Sequence, residues 1–351
     1  MKKLIAIACT LTATLFLQLL LLLLFGGCEW KLGREETTVP ATTTTVPTTT
    51  TTRMPIKTSA AANSSSMLVN IPVEGAMAKD ALAQVEELCR AHNGKISFYY
   101  LDLESGYSIE YRADRAYQAA SVVKAPYVKW LLASGVDGSE KLTMLASDKQ
   151  GGSGVVDKQP AGTQFTVDQL MEYAIRHSDN TAYYMLNKRF GFKEFNTYAQ
   201  QLGITANANS NCVLTYPRPR FGYLSARDIG LYMADIAKYI AGGSEDALRL
   251  KTWMTSTSEE RQLVDAFSSK NVLYGTSAGT ASVDFTHEVA HKYGDTLNIE
   301  NAFHDGAIVY ADKPFVLAVA TSLEPFEADS IEAFHELAFQ INKIHYAYHA
   351  G

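Results

Sequence analysis

The sequence predicts an α+β fold: an antiparallel sheet formed by N- and C-terminal strands and flanked by helices, with a mostly helical lobe beside it. Strand-like runs gather near both ends of the folded region, between 96 and 111 and again between 288 and 321. The stretch from 121 to about 255 reads as helix. Strands at both ends with helices between them are satisfied by one sheet that the two ends close together, the helical middle packing as a second lobe. A cleft between two such lobes is a natural place for a site.

The elements follow in order. Leu82, Val85, Leu88 and Cys89 repeat at helical spacing, and Asn93-Gly94 ends that helix. A strand is predicted over Ile96 to Leu103, a turn at Glu104-Ser105-Gly106, and a second strand over Tyr107 to Tyr111. Later strands are predicted at Glu288 to Tyr293, Gly306 to Tyr310 and Pro314 to Thr321, with Asp312-Lys313-Pro314 as a turn. A last helix spans about Ile331 to Tyr348.

The chain has 351 residues, 47% of them hydrophobic, and a net charge of −6. That acidic excess, with no basic run beyond Lys2-Lys3, argues against nucleic acid as a partner. The amino terminus reads as an export segment, residues 1–28: Lys2-Lys3, an apolar stretch from Leu4 to Phe25, then Gly26-Gly27-Cys28. Small residues before a cysteine resemble a lipobox, with Cys28 as the lipidated residue; the alternative is an uncleaved membrane-spanning anchor. Either way the rest of the chain is expected outside the cytoplasm, tethered to the outer face of the membrane. Residues 29–68, rich in threonine and proline, cannot bury a core and read as an extended linker. The folded domain is expected over 69–351, as a monomer. Of four cysteines only Cys89 and Cys212 fall in it, either paired or as two buried thiols. The eight histidines read as scattered, so neither a metal nor another cofactor is expected.

Three short motifs carry chemistry. In Ser121-Val122-Val123-Lys124 the serine and lysine stand three apart, on one face of a helix whose start is placed at Ser121. There the free N–H groups favour negative charge, and Pro126 falls early enough to cost little. A neutral Lys124 amine can take the Ser121 proton, and burial or a nearby positive charge makes the amine neutral. The second motif is Ser178-Asp179-Asn180, whose plainer reading is a helix cap. The third, Lys292-Tyr293-Gly294, falls on a predicted strand.

In this order and at these distances, the motifs resemble the class A β-lactamase and penicillin-binding serine hydrolase family, whose pattern is Ser-x-x-Lys, Ser-Asp-Asn and Lys-Thr-Gly. The resemblance covers nearly all of 75–351 and extends to Gly152-Ser153-Gly154, to Leu224-Ser225-Ala226-Arg227-Asp228 and to His291 before Lys292. It implies that Ser121 is acylated by a β-lactam or a D-Ala-D-Ala-type cell-wall peptide and that Lys124 helps remove its proton. Ser178, aided by Lys292, would pass a proton to the departing nitrogen. Asn180 would hold the substrate amide, and Lys292, with Tyr293 and Gly294, its carboxylate. The backbone N–H groups of Ser121 and Asp295 would form the oxyanion hole, and Asp179 would pin its own loop.

Two departures from the family pattern matter. Tyr293 stands where the family has threonine or serine, and Asp295 adds negative charge beside a site for an anionic substrate. The family also activates its deacylating water with an omega-loop glutamate, whereas no aspartate or glutamate occurs from Phe195 to Arg227. Arg218 and Arg220 in that stretch either hold the loop, bind an anion or lie on the surface. Slow deacylation of β-lactams is therefore expected. The alternatives are an active β-lactamase with a relocated base, and a non-catalytic sensor of β-lactams or wall fragments or surface binding domain.

Overall fold

The structure, a computed structural model, describes residues 67–204, 222–258, 262–267, 272–276, 279–283, 286–297 and 301–350. Cys28, residues 29–66 of the expected linker, Cys212, Arg218 and Arg220 lie outside these residues, while Leu68, expected as the last linker residue, belongs to a strand.

In chain order the described elements begin with β1 (Leu68–Val69), α1 (Gly75–Ala91), β2 (Ile96–Asp102), β3 (Ser108–Tyr111) and β4 (Ala116–Gln118). A short 3-10 turn, Ala120–Val123, leads into α2 (Lys124–Ala133). Then come β5 (Lys141–Thr143), β6 (Gln164–Thr166), α3 (Val167–Arg176), α4 (Asn180–Phe190) and α5 (Lys193–Gln201). After these follow β7 (Tyr223–Ser225), α6 (Ala226–Ala241), α7 (Glu245–Met254), α8 (Leu263–Phe267), β8 (Val272–Thr276) and β9 (Gly279–Val283). The chain closes with β10 (Glu288–Thr296), β11 (Ala302–Tyr310), β12 (Phe315–Thr321) and α9 (Ala328–Ala350).

Six strands form one antiparallel sheet in the order β1-β3-β2-β12-β11-β10. An early and a late strand meet at its centre, where β2 pairs with β12 from Phe315↔Asp102 to Thr321↔Ile96. Both central strands are buried along their whole length, so each face needs a cover. Alternation supplies two apolar surfaces. Phe98 and Tyr100 join Phe315, Leu317 and the inner faces of α1 and α9; Tyr99 and Leu101 join Val316, Ala318 and the α6 side chains Ile229, Tyr232 and Met233. The expected sheet with a helical lobe is what the fold contains. Within the stretch from 121 to about 255, read as helix, lie the β5-β6 ribbon and β7, which pairs with β4; a further ribbon, β8-β9, lies beyond it.

Cys89 packs inside α1 as a free buried thiol, and burial pushes it up to about 12. Ser225 caps α6, its hydroxyl accepting from the Asp228 N–H at 3.1 Å while the Asp228 carboxylate accepts from the Ser225 N–H at 2.9 Å. Arg227, between them, binds Asp114 through Nε at 2.6 Å and also pairs with Glu110, tying the start of α6 to β3. Such buried polar ties fix where the lobe sits on the sheet. No described helix is long and apolar enough to cross a membrane.

Candidate active site

Two contacts aim the chain entering the first motif. β4 pairs with β7 through Tyr117↔Leu224, and His304 of β11 bonds the Gln118 carbonyl at 2.8 Å. The other nitrogen of His304 accepts the Thr321 N–H at 3.0 Å, so Nε2 is the donor to Gln118. Burial pushes His304 down to about 4, which keeps this neutral arrangement across ordinary pH.

Ala120 then takes φ 47°, the left-handed region that costs a non-glycine residue about 1–2 kcal/mol. This reversal tightens the next residues into a 3-10 turn, so Ser121 sits just ahead of α2 rather than at its start. The correction strengthens the spacing argument, because residues three apart eclipse in a 3-10 turn. Lys124 Nζ lies 2.9 Å from Ser121 Oγ.

Lys124 is fully buried and gathers the second motif around its amine. Nζ bonds the Ser178 carbonyl, lies 2.8 Å from Asn180 Oδ1 and 3.2 Å from Ser178 Oγ. The amine is held well below the ordinary lysine value, first by burial and then by the Lys292 charge, against the opposing pull of Asp179 and Asp295. A neutral amine has two N–H donors and one lone pair. The Ser178 carbonyl and Asn180 Oδ1 can only accept, so they take the two hydrogens and the lone pair faces the hydroxyls, with Ser121 Oγ at 2.9 Å nearer than Ser178 Oγ at 3.2 Å. The surroundings thus select the state that can act as a base.

The second motif is itself shaped for this. Ser178 is at φ 49° and turns its carbonyl and hydroxyl toward Lys124. Asp179 caps α4, one oxygen accepting from the Ala182 N–H at 2.8 Å. Its other oxygen accepts from Val155 and Val156 N–H at 2.6 and 2.8 Å, which anchors the 152–156 loop. Gly154, at φ 122°, passes so close that a Cβ would stand 2.2 Å from Asp179 Oδ2. Asn180 Nδ2 donates to the Gly151 carbonyl at 3.0 Å, and the Asn180 N–H to Ser153 at 3.1 Å. Both ends of the Asn180 amide are therefore engaged within the protein. Ser153 lies in the Gly152-Ser153-Gly154 stretch that the resemblance includes, yet it and Gly151 enter through backbone carbonyls, atoms that residue type does not specify.

The third motif reaches the site from the sheet edge. Alternation along β10 puts Lys292 and Gly294 on the face of Ala290, which packs into the helical-lobe core. A Cβ at Gly294 would stand 2.7 Å from the Ser121 nitrogen and 2.8 Å from that of Val122. Glycine is required here by the close approach of two backbones. Lys292 is fully buried, unlike an ordinary strand lysine. Its Nζ donates to the Tyr293 carbonyl at 2.9 Å and lies 3.7 Å from the centre of the Tyr293 ring. Beneath it His291 Nδ1 lies 3.0 Å from the Asp305 carboxylate and Nε2 2.5 Å from Thr257 Oγ1, a buried chain that holds β10 to β11. Asp295 follows, half-buried, with its charge felt at Lys124.

Ser121, Lys124, Ser178 and Asn180 thus meet around one amine, with Lys292 and Gly294 on the strand that closes over them. A cavity of about 520 Å³ near the end of α1, lined by His92, Asn93, Glu324, Glu327 and Asp329, contains none of these residues. The chemistry, not cavity size, marks the site.

A family model described as the β-lactamase enzyme family, Beta-lactamase2, matches residues 79–344. The chain belongs to the β-lactamase enzyme family. Among curated β-lactamases, ROB-1 of Haemophilus influenzae is 33% identical over 127 residues, 36% of this chain and 41% of the relative. The match thus spans less than half of that relative's length. The β-lactamase of Bacillus licheniformis is 26% identical over 257 residues, 71% of this chain and 78% of the relative. Among solved structures, that of PBP-A superposes with a TM-score of 0.61 at 22% identity, covering 76% of this chain and 96% of PBP-A. A β-lactamase from Sphaerobacter thermophilus superposes with a TM-score of 0.60 at 18% identity, covering 76% and 96%. At such identities the superpositions speak for the fold, which this β-lactamase family member shares with penicillin-binding and β-lactamase structures alike.

Proposed function

We propose that this protein is an acyl-serine enzyme whose Ser121 is acylated by β-lactams or by D-Ala-D-Ala-type cell-wall peptides, and that it releases β-lactam products slowly. The observation that carries the reading is the Lys124 amine, buried and aimed at Ser121 Oγ from 2.9 Å. Ser121 Oγ forms a bond to the substrate carbonyl carbon as its proton passes to Lys124. The carbon–nitrogen bond then breaks, and the proton moves through Ser178, aided by Lys292, to the departing nitrogen. The N–H groups of Ser121 and Asp295 receive the negative oxygen, an interaction of about 3 kcal/mol in the transition state where such donors are aligned. The close passage of Gly294 over the Ser121 nitrogen supports that pairing of strand and turn. Lys292 attracts the substrate carboxylate, with Tyr293 and Gly294 beside it, and Asn180 receives the substrate amide.

A variant of PBP-A has been solved as an acyl-enzyme complex with penicillin G, covering 79% of this chain with a TM-score of 0.61. Its fold therefore accommodates the adduct we propose. The test is the intact mass of the purified protein after exposure to penicillin G and, separately, to a D-alanyl-D-alanine peptide. A 1:1 adduct mapped to Ser121 and absent from Ser121→Ala is expected. Equal labelling of Ser121→Ala would remove Ser121 from the role, and no adduct with either compound would leave a non-catalytic surface binding domain as the better reading.

We further propose that the protein is anchored through lipid on Cys28 at the outer face of the membrane, the linker giving the domain reach. One acyl chain holds only marginally, so firm anchoring needs several on one cysteine. The protein is expected in the membrane fraction and Cys28→Ala in the soluble one. Recovery of the unaltered protein from the medium, cleaved beyond Cys28, is the contrary result.

A further inference from the structure

On the α1 and α9 side of the sheet, where α9 crosses the end of β2, three ligand-type side chains converge. His345 and His349 stand four apart in α9 and so share one helix face. Asp102 is the last residue of β2. One ligand atom from each lies within 4.8 Å of the others. Reading the histidines as scattered overlooks this pair, whose third member is remote in sequence.

We propose that Asp102, His345 and His349 bind one divalent cation of the Zn²⁺ kind, clamping α9 to the sheet. The geometry of each ligand supports this. Asp102 Oδ1 is already engaged, accepting from the Ser105 N–H and hydroxyl at 2.7 Å each and from the Glu104 N–H at 3.2 Å. Its Oδ2 faces the histidines, 2.7 Å from His349 Nε2 and 3.5 Å from His345 Nδ1.

His345 Nε2 lies 2.9 Å from the Lys313 carbonyl, which can only accept, so the ring hydrogen is there. The lone pair is therefore on Nδ1, directed at Tyr100 Oη at 2.8 Å and beside Asp102 Oδ2. A ring N–H held by a carbonyl is the outer-shell arrangement that fixes metal-bound imidazoles, and the other nitrogen faces the Asp102 carboxylate that would share the ion. An ion taking this lone pair displaces the Tyr100 hydroxyl bond. His349 binds through Nε2 as a neutral ring with its hydrogen on Nδ1. Asp102 and His345 are 0% and 5% exposed at their side chains and His349 20%, so the way in is along His349.

Two imidazole nitrogens and one carboxylate oxygen suit Zn²⁺, Co²⁺ or Ni²⁺. Ca²⁺ and Mg²⁺ require six or more oxygens.

The experiment is isothermal titration of the metal-stripped, untagged protein with Zn²⁺, read together with its thermal midpoint. One Zn²⁺ per chain with a Kd of about 10 µM or tighter is expected, and a midpoint raised by about 5 °C at saturation. His349→Ala removes an accessible ligand and should weaken binding at least tenfold and abolish the midpoint rise. Asp102→Asn keeps the Ser105 contacts and should act likewise; it stands in if His349→Ala does not fold, which penicillin labelling of Ser121 and circular dichroism report. His92→Ala, beside the opposite end of α9, should change nothing. Absence of Zn²⁺ binding, full binding by His349→Ala and Asp102→Asn, or an equal loss in His92→Ala would overturn the assignment.

Discussion

Replacing Lys124 with alanine is expected to slow acylation of Ser121 by about 10²–10⁴-fold, the range of a positioned general base. Burial and the Lys292 charge hold this amine well below the ordinary lysine value. The base is the neutral form, so acylation by a neutral reporter ester should rise with pH through that lowered value and level off above it. The Lys124→Ala variant should lose this limb of the profile along with the rate. Stopped-flow acylation at several pH values separates the two effects. A loss below about fivefold, with the limb intact, would transfer the role to another group, such as Lys292 acting through Ser178. Circular dichroism should show the fold retained, although the Ser178 and Asn180 acceptors lose a donor and a stability loss of about 1–3 kcal/mol follows.

Acylation and deacylation are expected to come apart. Acylation has its parts assembled around Lys124, whereas hydrolysis of the acyl-serine needs a base beside a water. The stretch from Phe195 to Arg227 contains no carboxylate to serve as one. After a short pulse of penicillin, a 1:1 adduct should persist for minutes or longer in an intact-mass time course. Lys124 or Ser178 then remains as a slower base. Clearance within about a second, with steady loss of free drug, would mean that a base from elsewhere has replaced the glutamate, and β-lactamase would be the better name for the activity. A D-alanyl-D-alanine peptide should leave a shorter-lived adduct, because its smaller leaving group departs and admits water or an amine.

Much of the geometry of this candidate site was legible because its side chains stand at short fixed spacings. Ser121 and Lys124 are three apart and Ser178-Asp179-Asn180 are contiguous, so a local turn is enough to assemble each motif. The sheet was legible for a similar reason: Ile96 to Asp102 and Phe315 to Thr321 are apolar runs broken only by Ser97 and by the terminal Asp102 and Thr321, as befits strands buried on both faces. What escaped depends on the backbone or on distant pairing. The left-handed φ at Ala120 moved Ser121 out of the helix, and nothing about alanine announces it. The carbonyls of Gly151 and Ser153 act through atoms every residue has. The burial of Lys292 and the Thr257-His291-Asp305 chain beneath it follow from strand pairing and not from composition. The His345 and His349 pair gains meaning only when β2 supplies Asp102.

The pairing of β2 with β12 also sets the order in which the molecule can be made. Its partners, such as Asp102 and Phe315, are about two hundred residues apart in the chain. Closing a loop of that length must precede the reward of its contacts, and such non-local sheets fold slowly. As the chain is synthesised, β2 and β3 emerge early and wait with an open edge until β12 arrives. During that interval Tyr99, Tyr100 and Leu101, paired with β3 on one side only, present an open strand edge, the form most open to pairing with another chain. A polypeptide stopped before residue 315 would hold every residue of the Lys124 cluster and still lack the strand that joins its two halves.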